Sequence, residues 1–185
     1  MEVPYVNLTL HHGPIKSELL AAVSQVIDHG IFIMGKELDD FEEQFAALSG
    51  SRHAVGVNSG TDALILAMRA LGIGAGDEVI TVPNSFIAST SCIVLTGAFP
   101  VFVDVRDDFN INTELIESAI TSRTKAILPV HLTGRPANMD EIMAIAEKHG
   151  LHVIEDCAQA VLAQYKGHPV GSFGTVGCFS LHPLK

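Results

Sequence analysis

The chain has no tryptophan, two tyrosines and no apolar run long enough to span a bilayer, so no membrane role is expected. Cysteine is scarce. Cys92, Cys157 and Cys178 are odd in number and lack C-x-x-C spacing, which speaks against a disulfide framework or a zinc site and for reduced thiols. Positive charge is also sparse: 11 Lys and Arg stand against 21 Asp and Glu, a net charge of −10. A negative field repels phosphate backbones, so no nucleic-acid partner is expected, although a local pocket for one phosphate stays open. Met1-Glu2-Val3-Pro4 lacks a basic region followed by an apolar stretch, so no secretory leader is expected and the location is expected to be cytoplasmic. Nine histidines are scattered, and His11-His12 is the only adjacent pair with nothing at helical spacing beside it. No metal is expected.

What the chain does have is apolar mass. Of 185 residues 48% are apolar and 17% charged, enough for a large core. The length suits one domain of about 150 residues or slightly more. Pro14 to His29 carries Ile15, Leu19, Leu20, Val23, Val26 and Ile27 on one helical face, with Gly30 as a stop. Gly35 to Leu48 repeats the pattern with Leu38, Phe41, Phe45 and Leu48. Short apolar runs then alternate with helical periods. Strands are expected at 54–57, 78–82, 100–105, 125–130, 152–155 and 177–181. Helices are expected at 61–71, 85–95, 113–120 and 139–149. This alternation predicts an α/β fold, a mostly parallel sheet with helices on both faces. Ala126-Ile127-Leu128-Pro129-Val130 has the continuous apolar character of a strand buried on both sides. Ligands bind such sheets at the carboxyl ends of the strands, so functional groups are sought there.

After the first expected strand, Gly60 permits close backbone approach, Thr61 offers a hydroxyl, and the next helix offers free N–H groups, a combination suited to phosphate. A plain helix cap accounts for the same residues. No G-x-G-x-x-G or G-x-x-x-x-G-K-[ST] is present. Phe86 follows the second strand and could stack on a flat ring or fill the core. Asp156 follows the strand at 152–155. A buried carboxylate there needs a partner, whether a helix N-terminus, an ion pair or a protonated heterocyclic nitrogen. Gln159 lies three residues on. Lys185 follows the last expected strand, as a solvated charge or a reactive amine. Anion cradle, stacking face, carboxylate and amine together are what pyridoxal 5'-phosphate requires.

Six motifs in order carry a resemblance: Phe41-Glu42-x-x-Phe45-Ala46, Asn58-Ser59-Gly60-Thr61-Asp62-Ala63-Leu64, Gly76-Asp77-Glu78-Val79-Ile80, Val130-His131-Leu132-Thr133-Gly134, Ile154-Glu155-Asp156-Cys157-Ala158-Gln159-Ala160 and Cys178-Phe179-Ser180-Leu181-His182-Pro183-Leu184-Lys185. By these the sequence resembles the DegT/DnrJ/EryC1/StrS aminotransferases, fold-type-I pyridoxal-phosphate enzymes. The resemblance implies the large domain of that fold over residues 31–185, preceded by a helical segment, 1–30. Members are longer, so the domain is expected to be incomplete and the small C-terminal domain absent. Gly60, Thr61 and Ser180 would hold the cofactor phosphate, Phe86 would cover the ring, Asp156 would pair with the pyridine nitrogen, and Gln159 would approach the phenolic oxygen. Lys185 matches the lysine that bonds the cofactor and shuttles the proton, so Lys185 and Asp156 are the expected catalytic residues. His131 matches the family. Val161 stands where many members have His, and Thr133 where many have an aromatic.

The implied activity moves an amino group, usually from glutamate, to a keto sugar, most often nucleotide-linked, in polysaccharide or antibiotic sugar biosynthesis, by a homodimer. A deoxysugar dehydratase is the alternative enzyme. That switch is associated with His at the lysine position, so Lys185 argues against it. A non-catalytic regulatory protein is the other alternative, and the complete set Asp156, Gln159, Ser180 and Lys185 argues against it.

Overall fold

A computed structural model describes Pro4 and residues 6–185. Three helices come first: α1 (Leu8–His12), α2 (Lys16–His29) and α3 (Lys36–Ser49). Both longer helices end on a glycine in the left-handed conformation, Gly30 at φ +70° and Gly50 at φ +66°, which a β-carbon would strain. Helix α1 has no counterpart among the expected elements. It is a single turn or so, capped by the Asn7 side chain accepting from Leu10 N–H, too short for a periodicity signal.

The core follows as α4 (Gly60–Ala70), β1 (Glu78–Thr81), α5 (Ala88–Leu95), β2 (Phe99–Phe102), α6 (Thr113–Ala119), β3 (Thr124–Ile127), α7 (Met139–His149), β4 (His152–Asp156), β5 (Gln164–Tyr165), β6 (His168–Pro169) and β7 (Val176–Cys178). Five strands form one parallel sheet in the order β2-β1-β3-β4-β7. Helices α4 and α5 pack together, α4 over β4 and β7 and α5 over β1 and β2, while α6 and α7 pack together with α7 over β3 and β4. Successive strand residues point to opposite faces, yet all four residues of β1 are buried, as are Val153 to Asp156 of β4. The sheet is therefore covered on both sides, as the continuous apolar runs require. Leu64, Met68, Ile80, Ile127, Ile142 and Ile154 are among the fully buried side chains.

The expected elements shift in instructive ways. The strand expected at 54–57 does not form: these residues have no ladder partner among the described residues. Val55 is 76% exposed, and Gly56 N–H donates to Glu42 Oε1 at 2.7 Å in place of a strand. Alternation marks extended backbone, but a strand also needs a neighbour. The helix expected from Ser85 begins at Ala88, leaving Phe86 on the loop. The run expected as a strand through Val105 leaves the sheet after Phe102, and Val105 bridges back to Ile111. The run expected through Val130 keeps only single contacts beyond Ile127: Leu128 N–H to the Ile80 carbonyl and a bridge from Val130 to Asp156. The hairpin β5–β6 has no expected counterpart. Its two-residue turn, Lys166 at φ +51° and Gly167 at φ +84°, is the left-handed pair that matches strand twist.

Candidate active site at the carboxyl edge of the sheet

Because all five strands run one way, their carboxyl ends share one edge, and the segments leaving β1, β4 and β7 carry Phe86, Asp156 with Gln159, and Ser180 with Lys185, whereas Gly60 and Thr61 follow no strand among the described residues and meet this edge through Ser180. Helix α4 starts directly at Gly60. The Ser59 side chain accepts from Asp62 N–H at 3.1 Å, and the Ser59 carbonyl accepts from Ala63 N–H at 2.9 Å. That leaves the N–H groups of Gly60 and Thr61 with no acceptor among the described residues, two donors at the positive end of an eleven-residue helix. Ser180, just past β7, closes on this turn: a β-carbon on Gly60 would stand 2.8 Å from the Ser180 Cβ and 3.2 Å from the Phe179 carbonyl. Only glycine admits that approach.

Asp156 ends β4 and is 4% exposed. Its Oδ2 accepts from Ser89 Oγ at 2.7 Å and its Oδ1 from Ala158 N–H at 3.1 Å. Ser89 lies on α5, is itself buried, and is backed by Ser85 Oγ at 2.9 Å. A carboxylate has about four lone-pair sites, so Asp156 retains capacity for a further donor. Ser89 is a residue that sequence reasoning missed. Its signal was spacing, since Ser85 and Ser89 lie four residues apart, Ser85 on the loop before α5 and Ser89 in its first turn, but only the fold shows that they meet β4.

Gln159 is reached through the turn after β3. Thr133 N–H donates to Gln159 Oε1 at 2.7 Å. That bond assigns the amide: oxygen toward the turn, the Nε2 donors outward. Thr133 itself sits at φ +53°, an uncommon place for a β-branched residue, within the short 3₁₀ turn Leu132–Gly134. Phe86 is 65% exposed on its loop. The Lys185 Nζ lies 5.9 Å from the centroid of the Phe86 ring, within the range of a cation over an aromatic face. Thus Gly60 meets Ser180, Phe86 meets Lys185, and Asp156 and Gln159 leave the same strand end. Thr61 lies in the first turn of α4 beside Gly60.

Three thiols and two further polar side chains, His131 and Glu155, underlie this edge. Cys92, Cys157 and Cys178 are free and buried. Burial, reinforced by the Asp156 charge, pushes the thiols of Cys92 and Cys178 up to about 12, and burial with Glu155 and Asp156 raises Cys157 well above its ordinary value. His131, Glu155 and Cys157 place their ligand atoms within 4.8 Å of one another. This is a hydrogen-bond hub, because the imidazole and carboxylate are committed to protein partners and a thiol that stays protonated is a poor ligand.

The family model described as the DegT/DnrJ/EryC1/StrS aminotransferase family matches residues 14–185. The chain belongs to that family. Among its members, the UDP-N-acetyl-3-dehydro-alpha-D-glucosamine 3-aminotransferase of Acidithiobacillus ferrooxidans is 54% identical over 184 residues, covering 99% of this chain and 50% of the relative. The dTDP-3-amino-3,4,6-trideoxy-alpha-D-glucose transaminase of Streptomyces venezuelae is 47% identical, covering 99% of this chain and 48% of the relative. The crystal structure of S. venezuelae DesV, solved in complex with a ketimine intermediate, superposes with a TM-score of 0.96 at 47% identity over 99% of this chain and 50% of that one. The chain thus spans about half the length of the family members it matches. Among the described residues no helix is long and apolar enough to cross a membrane.

Proposed function

We propose that this chain is the cofactor-bearing part of a pyridoxal 5'-phosphate-dependent aminotransferase that passes an amino group, from glutamate as donor, to a ketone on a nucleotide-linked sugar. The observation that carries the reading is the juxtaposition at one sheet edge of an N–H cradle with a hydroxyl, a buried carboxylate, and an amine beside an aromatic ring. The two relatives described above are named for an amino group on sugar carbon 3, so a 3-keto hexose is the proposed acceptor. Residues 31–185 form the large domain in this proposal, with 1–30 as an attached helical segment. The protein works in the cytoplasm as a homodimer, which suits the apolar face left uncovered on α2.

The residues fit the group. Gly60 and Thr61 offer free N–H donors to a phosphate, and Ser180 adds a hydroxyl. Asp156, anchored by Ser89 and Ala158 N–H, accepts from a protonated ring nitrogen and holds its proton. Gln159, its oxygen taken by Thr133, offers Nε2 donors to the phenolic oxygen. Phe86 covers one ring face. Bound there, the cofactor supplies an electron sink for taking an amino group from a donor and giving it to a ketone. Lys185 Nζ would bond the cofactor aldehyde with release of water and would move the proton at the substrate carbon, a task Arg could not take over because its guanidinium stays protonated.

The test is borohydride reduction of the complete protein with pyridoxal phosphate, followed by peptide mass spectrometry, alongside incubation with glutamate and nucleotide-linked 3-keto sugars. A reduced cofactor on Lys185 and an aminated sugar are expected. A label on another lysine, or no amination of any sugar tested, overturns the reading.

A further inference from the structure

Glu155 and His131 are both fully buried, and nothing in the chemistry above uses them. Glu155 Oε1 accepts from the N–H groups of Phe173 at 2.9 Å and Gly174 at 2.7 Å. Its Oε2 accepts from Gly171 N–H at 2.8 Å and faces His131 Nε2 at 3.1 Å. The imidazole tautomer follows from its other nitrogen. Nδ1 accepts from Ala137 N–H at 3.0 Å, so Nε2 carries the proton and donates to the carboxylate. One buried side chain thus receives four donors, the condition under which a buried carboxylate is tolerated.

What these donors belong to decides the role. Residues 171–174 lead directly into β7, whose register against β4 is Ile154 with Val176, Glu155 with Gly177, and Asp156 with Cys178. The approach is close: a β-carbon on Gly177 would meet the Gly171 Cα at 2.6 Å, and one on Gly174 the Val153 carbonyl oxygen at 2.5 Å. From β7 the chain runs on to Ser180 and Lys185. On the other side, His131 N–H donates to the Asp156 carbonyl at 3.1 Å, and His131 opens the turn whose Thr133 N–H orients Gln159. A single carboxylate therefore ties the strand that delivers the lysine to the turn that orients the glutamine.

We propose that Glu155 and His131 are a positioning pair: they set β7 so that the Lys185 amine stands within reach of the cofactor, while Gly60, Thr61, Phe86 and Asp156 make their contacts from other elements and the contacts of Ser180 and Gln159 are common to both forms of the cofactor. The proposal rests on the cofactor reading above. Glutamine cannot replace Glu155 silently. Whichever way its amide turns, the NH₂ group opposes either Gly171 N–H and His131 Nε2–H or the N–H groups of Phe173 and Gly174. The imidazole cannot relieve this by moving its proton, because Ala137 N–H occupies Nδ1. Aspartate keeps the charge but draws back by one methylene.

The experiment compares equilibrium binding of pyridoxal phosphate and of pyridoxamine phosphate to the complete protein and to its Glu155→Gln and Glu155→Asp variants. The aldehyde form condenses with the lysine amine with loss of water, whereas the amine form is held only by phosphate and ring contacts. The expected result for Glu155→Gln is that the aldehyde form weakens by about tenfold more than the amine form, with Glu155→Asp in between. In a Lys185→Ala background the same substitutions should leave the ratio of the two affinities unchanged, since there is no amine left to misplace. Equal weakening of both forms, no weakening of either, or a shift that persists without Lys185 overturns the proposal. If Glu155→Gln fails to fold, Glu155→Asp alone carries the test by the same ratio. Failure of the cofactor reading looks different, because the wild-type protein then binds neither form.

Discussion

Helices α2 and α4 have the same amphipathic spacing and opposite fates. In α4, Leu64, Ala67 and Met68 are buried against the sheet, whereas in α2 no residue is buried, and Leu20, Val23 and Ile27 are each more than half exposed. Ile31, Phe32, Ile33 and Met34 continue the uncovered surface. Apolar periodicity dictates that a helix forms and which face seeks cover. It says nothing about what provides the cover, which for α4 is the sheet and for α2 is nothing among the described residues. The sheet gathers the buried core and the candidate site residues, and α2 leaves an apolar face uncovered among the described residues.

That contrast can be broken or sharpened in steps. The largest effect is expected for Lys185→Ala, which should remove turnover together with the visible absorbance of lysine-bound cofactor, while noncovalent binding persists. Turnover near the wild-type rate would remove the lysine from the site. Asp156→Asn should keep cofactor binding and lower turnover by roughly 10²–10³, the weight of one preorganised electrostatic contact, as read by steady-state kinetics. Ile154→Ala, in the centre of the sheet, should cost about 2–5 kcal/mol in urea unfolding. A cost below about 1 kcal/mol would mean that the core repacks around the gap.

Alkaline pH gives a subtler comparison. The thiols of Cys92 and Cys178 titrate near 9.0 when unfolded and at about 12 when folded, because burial disfavours the thiolate. Between these values the unfolded state loses protons that the folded state keeps, so the contribution of the thiols is complete below about pH 9 and is lost as pH rises toward about 12. Unfolding midpoints should fall over that window, and iodoacetamide at neutral pH should label neither thiol until denaturant is added. The smallest effect is expected for Leu20→Ala on α2, within about 0.5 kcal/mol for the chain of residues 1–185. A loss equal to that at Ile154 would show that this face is covered after all.

Much of this was legible in the residues. Continuous apolar runs separated by helical periods announced a parallel sheet between helices, and the sheet directed attention to the segments that hold Phe86, Asp156, Gln159 and Lys185; Gly60 was reached through an expected strand that does not form, and Ser180 only through the resemblance. Other features depend on distances that sequence does not encode. Val55 and Val57 alternate like a strand, but pairing is a property of two segments. Ser89 and Glu155 look like ordinary polar residues in apolar surroundings until the fold brings Asp156 to one and the N–H groups of 171–174 to the other. The left-handed Thr133 carries no local signal, since a β-branched residue is the last choice for that conformation. It is held there by Gln159, 26 residues away in the chain.

The order in which the pocket residues occur along the chain has a consequence for synthesis. Gly60 and Thr61 emerge from the ribosome first, Phe86 and Ser89 next, then Asp156 and Gln159, and Lys185 last. At about 5–20 residues per second, several seconds separate Gly60 from Ser180, and because α4 packs on β4 and β7 the proposed anion cradle is completed late, close to the time the amine is made. The proposed imine, reversible in itself, waits for Lys185, the last residue of the set, by which time β1, β3, β4 and β7 have been made.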